Sequence, residues 1–137
     1  MVRLSSTALT LAAALLLAGC GDDTESNTPT APTPVAVTES FSGSLNPNGG
    51  ITHPFAVQQT GSVSATLSVV TPQGTTIGLS LGTWNGQSCQ IILANDNAVQ
   101  GISIVGTATS TGSFCARVYD VGKLTSLTDY ELSVSHY

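Results

Sequence analysis

The sequence predicts an all-β fold, an antiparallel β-sandwich of jelly-roll type built from about eight short strands. Three observations predict it. Apolar residues recur at every second position, turn residues interrupt them at short intervals, and no stretch beyond residue 38 carries a helical period.

Taken in order, Phe41 and Leu45 flank Gly43 in a first extended segment, and Phe55 and Val57 follow Pro54 in a second. Val63, Ala65, Leu67 and Val69 alternate with Ser62, Ser64, Thr66 and Ser68, the pattern of a strand with one buried face. Thr71-Pro72-Gln73-Gly74 has turn chemistry. Ile77, Leu79 and Leu81 then alternate with Gly78, Ser80 and Gly82, and Asn85-Gly86 turns the chain after Trp84. Cys89 to Ala94 is an apolar-rich run that Asn95-Asp96-Asn97 is expected to stop. Ile102 and Ile104 mark a strand ending near Gly106. Phe114, Ala116 and Val118 alternate with Ser113, Cys115, Arg117 and Tyr119. Tyr130, Leu132 and Val134, with His136 at the end of the pattern, alternate with Glu131, Ser133 and Ser135.

Composition agrees with a small core and an uncharged polar surface. Of 137 residues, 41% are hydrophobic and only 8% charged, so a core can form although ionic groups are scarce. One Trp, three Phe and three Tyr leave that core mainly aliphatic, and a domain of this size has a thin stability margin. The net charge is −5 with three basic residues, which excludes nucleic-acid binding and polybasic attachment to anionic lipid.

The first 19 residues have the layout of a secretory signal: Arg3 for positive charge, Ala8 to Leu17 for a short apolar stretch, then Ala18 and Gly19 before a cut. A permanent membrane span needs about 20 apolar residues, more than this stretch supplies. Leu17-Ala18-Gly19-Cys20 resembles the lipobox of bacterial lipoproteins. That resemblance implies cleavage before Cys20, a diacylglyceryl group on its thiol and a membrane partner through the lipid, since two or three acyl chains hold a protein stably. Gly21 stands where an inner-membrane retention signal would place Asp, which favours the outer membrane or cell surface. The expected organisation is therefore a signal peptide over 1–19, a lipidated cysteine and linker over 20–38, and the β-sandwich over 39–137. The linker is Thr/Pro-rich, and at ~3.1 Å per residue it reaches up to roughly 50 Å.

Cys89 and Cys115 remain once Cys20 is lipidated, and an exported compartment permits their oxidation. The alternation puts Cys115 opposite Phe114, Ala116 and Val118, facing outward. Cys89 must then share that side on a neighbouring strand or lie at a strand end, and the alternative is two free thiols.

Three stretches make the domain resemble the bacterial pre-peptidase C-terminal domain, a jelly-roll sandwich appended to secreted proteases and other exported proteins. They are Phe41-Ser42-Gly43-Ser44-Leu45 through His53-Pro54-Phe55-Ala56-Val57, then Gly61-Ser62-Val63-Ser64-Ala65-Thr66-Leu67, then Gly112 to Asp120 with Tyr130-Glu131-Leu132-Ser133-Val134. The chain departs from that family at Thr76 to Leu81, which replaces an Asp-x-Asp-Leu run, and no protease domain is expected ahead of the likeness. The resemblance implies the fold more than a function.

Chemistry is sparse. Two histidines, His53 before Pro54 and His136 near the carboxyl end, have the positions of surface or edge residues, and no Gly-x-Ser-x-Gly elbow exists. Neither catalysis nor a cofactor is expected. Zinc spacing is absent. Asp96, within Asn95-Asp96-Asn97, and Asp120 are hard oxygen donors of the kind calcium takes, although local turn bonding is the better account of Asn-Asp-Asn. Trp84, Asn85 and Gln87 place an aromatic plate beside amides in one loop, with Tyr119, Tyr137 and Asn48 as extensions, as carbohydrate recognition requires. The plainer alternative folds Trp84 over the core rim. The expected function is thus a non-catalytic, lipid-anchored binding or accessory module outside the cytoplasm, its ligand a glycan through the Trp84 loop or an envelope or extracellular protein. A structural or protein-docking lipoprotein, using an edge strand such as Phe41 to Leu45, is the alternative, as is an accessory or inhibitor partner of a secreted protease.

Overall fold

A strand with one apolar face buries it only by pairing with neighbours and facing a second sheet. A computed structural model describes residues 30–137, and in it Pro32–Tyr137 forms one unit whose regular structure is entirely strand. The strands are β1 Val37–Leu45, β2 Gly50–Val57, β3 Gly61–Thr71, β4 Ile77–Trp84, β5 Cys89–Ala98, β6 Ser103–Ala108, β7 Gly112–Tyr119 and β8 Thr128–His136. All pairings are antiparallel, in two four-stranded sheets ordered β1-β8-β3-β6 and β2-β7-β4-β5. Every connection except β4 to β5 crosses between sheets. This is the jelly-roll order, and the predicted fold class holds. Cys20, the leader and most of the linker lie outside the described residues, and β1 opens slightly ahead of the expected boundary at 39.

The core between the sheets is mainly aliphatic, as composition predicts. Leu67, Leu132 and Val134 face Ile77, Leu79 and Val118, with Tyr130 the largest buried side chain. Truncating one such leucine to alanine costs about 2–5 kcal/mol.

Three expectations need correction. Along β3 the alternation breaks between Leu67 and Val69, where the register to β8 shifts, so Val70 is buried in place of Val69. β4 is buried on both faces, Gly78, Ser80 and Gly82 included, because it lies inside its sheet with Tyr119 and the start of β5 covering its outer side. Asn95-Asp96-Asn97 does not stop β5. The strand runs through it to Ala98, a register shift against β4 absorbs the turn-prone residues, and the Asn97 N–H donates to Asn95 Oδ1 at 2.9 Å. β5 is also an edge strand, and its apolar run lies open to solvent: Ile92 is 67% exposed.

Candidate functional site

The outer face of the β2-β7-β4-β5 sheet gathers the residues with binding chemistry. Alternation along β7 sends Phe114, Ala116 and Val118 inward and Cys115, Arg117 and Tyr119 outward. Across the ladder, Gly82, Ser80 and Gly78 of β4 pair with Cys115, Arg117 and Tyr119, and Pro54, Thr52 and Gly50 of β2 pair with the same three. The glycines let the long side chains lie flat. A Cβ on Gly50 would stand 2.5 Å from Arg117 Nη2, and one on Gly78 would enter the Tyr119 ring.

The Trp84 end of this face is tied down covalently. β5 is the next strand but one to β7, yet the Cα atoms of Cys89 and Cys115 are 5.8 Å apart and the two cysteines are disulfide-bonded. The start of β5 leans over Gly82, where a Cβ would collide with the Gln90 carbonyl oxygen, and this brings Cys89 above Cys115. The outward placement of Cys115 is the one the alternation predicts, and Cys89 takes the second of the two places it left open, a strand end.

Between β4 and β5 the chain turns through Asn85, Gly86, Gln87 and Ser88, with Gly86 at φ 96°. Asn85 Oδ1 accepts the N–H groups of Gln87 and Ser88 at 2.9 and 2.8 Å, and its Nδ2 donates to Ser88 Oγ at 3.1 Å. Asn85, expected at the ligand, therefore holds the turn instead. Trp84 and Gln87 do come together. With Thr52, Ser88, Cys89 and Arg117 they line a shallow hollow of about 310 Å³. Trp84 is partly exposed and outside the core cluster, so it does not cap the core rim.

Tyr119 lies farther along the same face, linked to the hollow by Arg117, whose guanidinium carbon is 5.5 Å from the Tyr119 ring centre. The Tyr119 hydroxyl donates to the Asp96 carboxylate. Burial, the Asp96 hydrogen bond and the Asp96 charge push the phenol pKa up to about 12 against the opposing Arg117 charge. Among the described residues the Arg117 guanidinium makes no ion pair and donates no hydrogen bond to protein. Arg117, Thr52 and Ser88 were not singled out from the sequence. For Arg117 a signal existed, because it alternates in phase with Cys115 and Tyr119.

The other candidates fall elsewhere. Tyr137 packs over Gly61 of β3 in the opposite sheet, and the Asn48 N–H donates to Asp120 Oδ2 at 2.7 Å. Asp120 also accepts the N–H groups of Lys123 and Leu124 at 2.9 and 3.1 Å. These backbone bonds, the one from Asn48 foremost, hold its carboxyl below the usual range. Asp96 and Asp120, the calcium candidates, accept hydrogen bonds from protein groups, and no group of three or more His, Cys, Asp or Glu among the described residues is placed to hold a metal ion.

His136 departs from the surface or edge position expected of it, whereas His53 lies on the edge strand β2 as expected, with its side chain turned inward. His53 points between the sheets, stacks on Phe41 at 4.8 Å and shares a 2.7 Å hydrogen bond with the Tyr130 hydroxyl. Burial lowers its pKa from 6.5. His136 is 3% exposed, stacks on Phe55 at 5.3 Å and contacts Glu39 Oε1 through Nε2 at 2.9 Å.

The sequence matches no protein-family model and no curated protein. Among solved structures, the fold is similar to the Yersinia pseudotuberculosis-derived mitogen, with a TM-score of 0.59 and 15% identity over 75% of this chain and 88% of that one. It is also similar to Aeromonas hydrophila PliG, a periplasmic inhibitor of g-type lysozyme, with a TM-score of 0.57 and 14% identity over 77% of this chain and 91% of that one. At these identities the likeness is one of fold.

Proposed function

We propose that this chain is a non-catalytic binding module held outside the cytoplasm by lipid on Cys20, and that it takes a glycan on the outer face of the β2-β7-β4-β5 sheet. The observation that carries the reading is the shared hollow of Trp84, Gln87, Thr52 and Arg117. Trp84 offers an apolar plate for the C–H face of a sugar ring, while the amide, hydroxyl and guanidinium beside it match ring hydroxyls. The four residues stand on paired strands or on a turn fixed by Asn85, so little ordering is needed on binding.

A non-catalytic role agrees with the histidines, which are held between the sheets by Tyr130, Phe41, Glu39 and Phe55. The pre-peptidase C-terminal likeness stays part of this reading, because the strand order is the jelly roll that the likeness implies. A glycan array of cell-wall and extracellular polysaccharides, comparing the protein with Trp84→Ala, tests the proposal. We expect binding that falls at least about tenfold in the variant, the effect of losing about 1.4 kcal/mol. Equal signals from both proteins rule out the site.

A second reading, a protein partner in the envelope, has its own observation. The β5 edge exposes Ile91, Ile92 and Leu93, and Cys89 to Ala94 carries none of the charges or prolines that normally blunt an edge. PliG, a similar fold, inhibits a lysozyme in the periplasm, which lends this reading support. A photo-crosslinker at position 92 in intact cells tests it. One discrete protein adduct supports docking, and absence of any adduct argues against it.

A further inference from the structure

The most unusual group in the hollow is its cation. Arg117 and Lys123 are the basic side chains of the described residues, in a protein of net charge −5. Lys123 donates to Asn97 Oδ1 at 3.0 Å, so it has a protein acceptor. Arg117 has none among the described residues. Its planar fork is instead held against the sheet, over the space Gly50 leaves by lacking a Cβ and beside the Tyr119 ring, while the residue lines one side of the hollow that Trp84 and Gln87 share. Tyr119 is itself fixed by Asp96. A guanidinium positioned by packing but left without an acceptor is preorganised for an external anion, and its fork matches the two coplanar oxygens of a carboxylate.

We infer that the glycan bound on this face carries a carboxylate on one sugar ring, a uronic-acid type of residue, gripped by Arg117 while a neighbouring neutral ring stacks on Trp84. This deepens the glycan reading and rests on it. Charge density decides between anions. A single guanidinium on a strongly acidic protein accommodates one isolated carboxylate between neutral rings, whereas a densely sulfated or phosphorylated polymer meets the repulsion of the whole protein.

The test uses the purified protein with an oligosaccharide of alternating glucuronic acid and N-acetylglucosamine, the same oligosaccharide after carboxyl reduction, and dextran sulfate, measured by calorimetry. We expect the carboxylated form to bind at least tenfold more tightly than the reduced form. Arg117→Gln should abolish that difference, costing the carboxylated form at least tenfold more affinity than the reduced form, with an unchanged far-ultraviolet circular dichroism spectrum showing that the variant is folded. Arg117→Lys should restore the difference only in part, because an ammonium lacks the fork. Equal wild-type affinity for both oligosaccharides, with Trp84→Ala weakening each, overturns the carboxylate grip and leaves the glycan reading standing. Binding to neither overturns both for this sugar class. Dextran sulfate binding as tightly as the carboxylated sugar, or Arg117→Gln weakening both forms equally, also overturns the inference.

Discussion

Gly82 and Gln90 stand so close that a methyl group on Gly82 would collide with the Gln90 carbonyl oxygen and press on the Ile91 Cα. That approach is what lets β5 lean across β4 and set Cys89 over Cys115. Gly82→Ala must therefore move backbone, for which overpacking in a core typically costs about 1–3 kcal/mol. We expect a lower urea midpoint together with free thiol in freshly purified protein. A variant with an unchanged midpoint and full oxidation contradicts this account of the disulfide.

Removing the bridge itself has a separate expected cost. With a sequence separation of 26, the loop-closure model assigns the Cys89–Cys115 disulfide about 3.5 kcal/mol. Replacing both cysteines with serine should lower the unfolding free energy by that order in a denaturant titration. A loss below about 1 kcal/mol shows that the β4–β5 end is held mainly by strand pairing.

Tyr119 and Tyr130 both have phenol pKa values pushed up to about 12, the first by burial and Asp96, the second by burial alone. Because both folded values lie above the unfolded value near 10, their contribution to stability is complete below pH 10 and is lost as the pH rises toward 12. Phenolate absorbance should show two late transitions. Asp96→Asn should bring one of them down and leave the other in place, and two unmoved transitions would separate Tyr119 from Asp96.

His53 titrates in the opposite sense. Burial lowers its pKa from 6.5, so the neutral ring is the form the fold accommodates. Its contribution is complete above the unfolded value of 6.5 and is lost as the pH falls through the lowered folded value. An NMR titration should place its midpoint below 6.5. Phe41→Ala, which uncovers the stacked ring, should move the midpoint back toward 6.5. A wild-type midpoint at or above 6.5 contradicts the placement of His53 between the sheets.

Much of this architecture is legible in period-2 patterning, because burial of one strand face writes itself directly into the order of residues. Leu67, Leu132 and Val118 all fall on the predicted side. What alternation does not carry is anything set by a neighbour's register. The switch from Val69 to Val70 comes from a bulge against β8, and the continuation of β5 through Asn95-Asp96-Asn97 comes from a register shift against β4. His53 sits beside a proline on the edge strand β2, as that position suggests, but the proline does not record that its side chain follows the inward phase of Phe55 and Val57. In the candidate site, the Trp84–Gln87 pairing was visible because it is local. Thr52 joins them only through the pairing of β2 with β7, which no local pattern records.

The binding face is tested most directly by mapping amide and indole NMR shifts of the isotopically labelled protein during titration with its highest-scoring array glycan. The account predicts perturbations concentrated at the Trp84 indole N–H, the Gln87 side-chain amide and the Thr52 backbone amide, with the opposite sheet unmoved. Shifts confined to Ile91–Leu93, or spread over the β1-β8-β3-β6 sheet instead, contradict it.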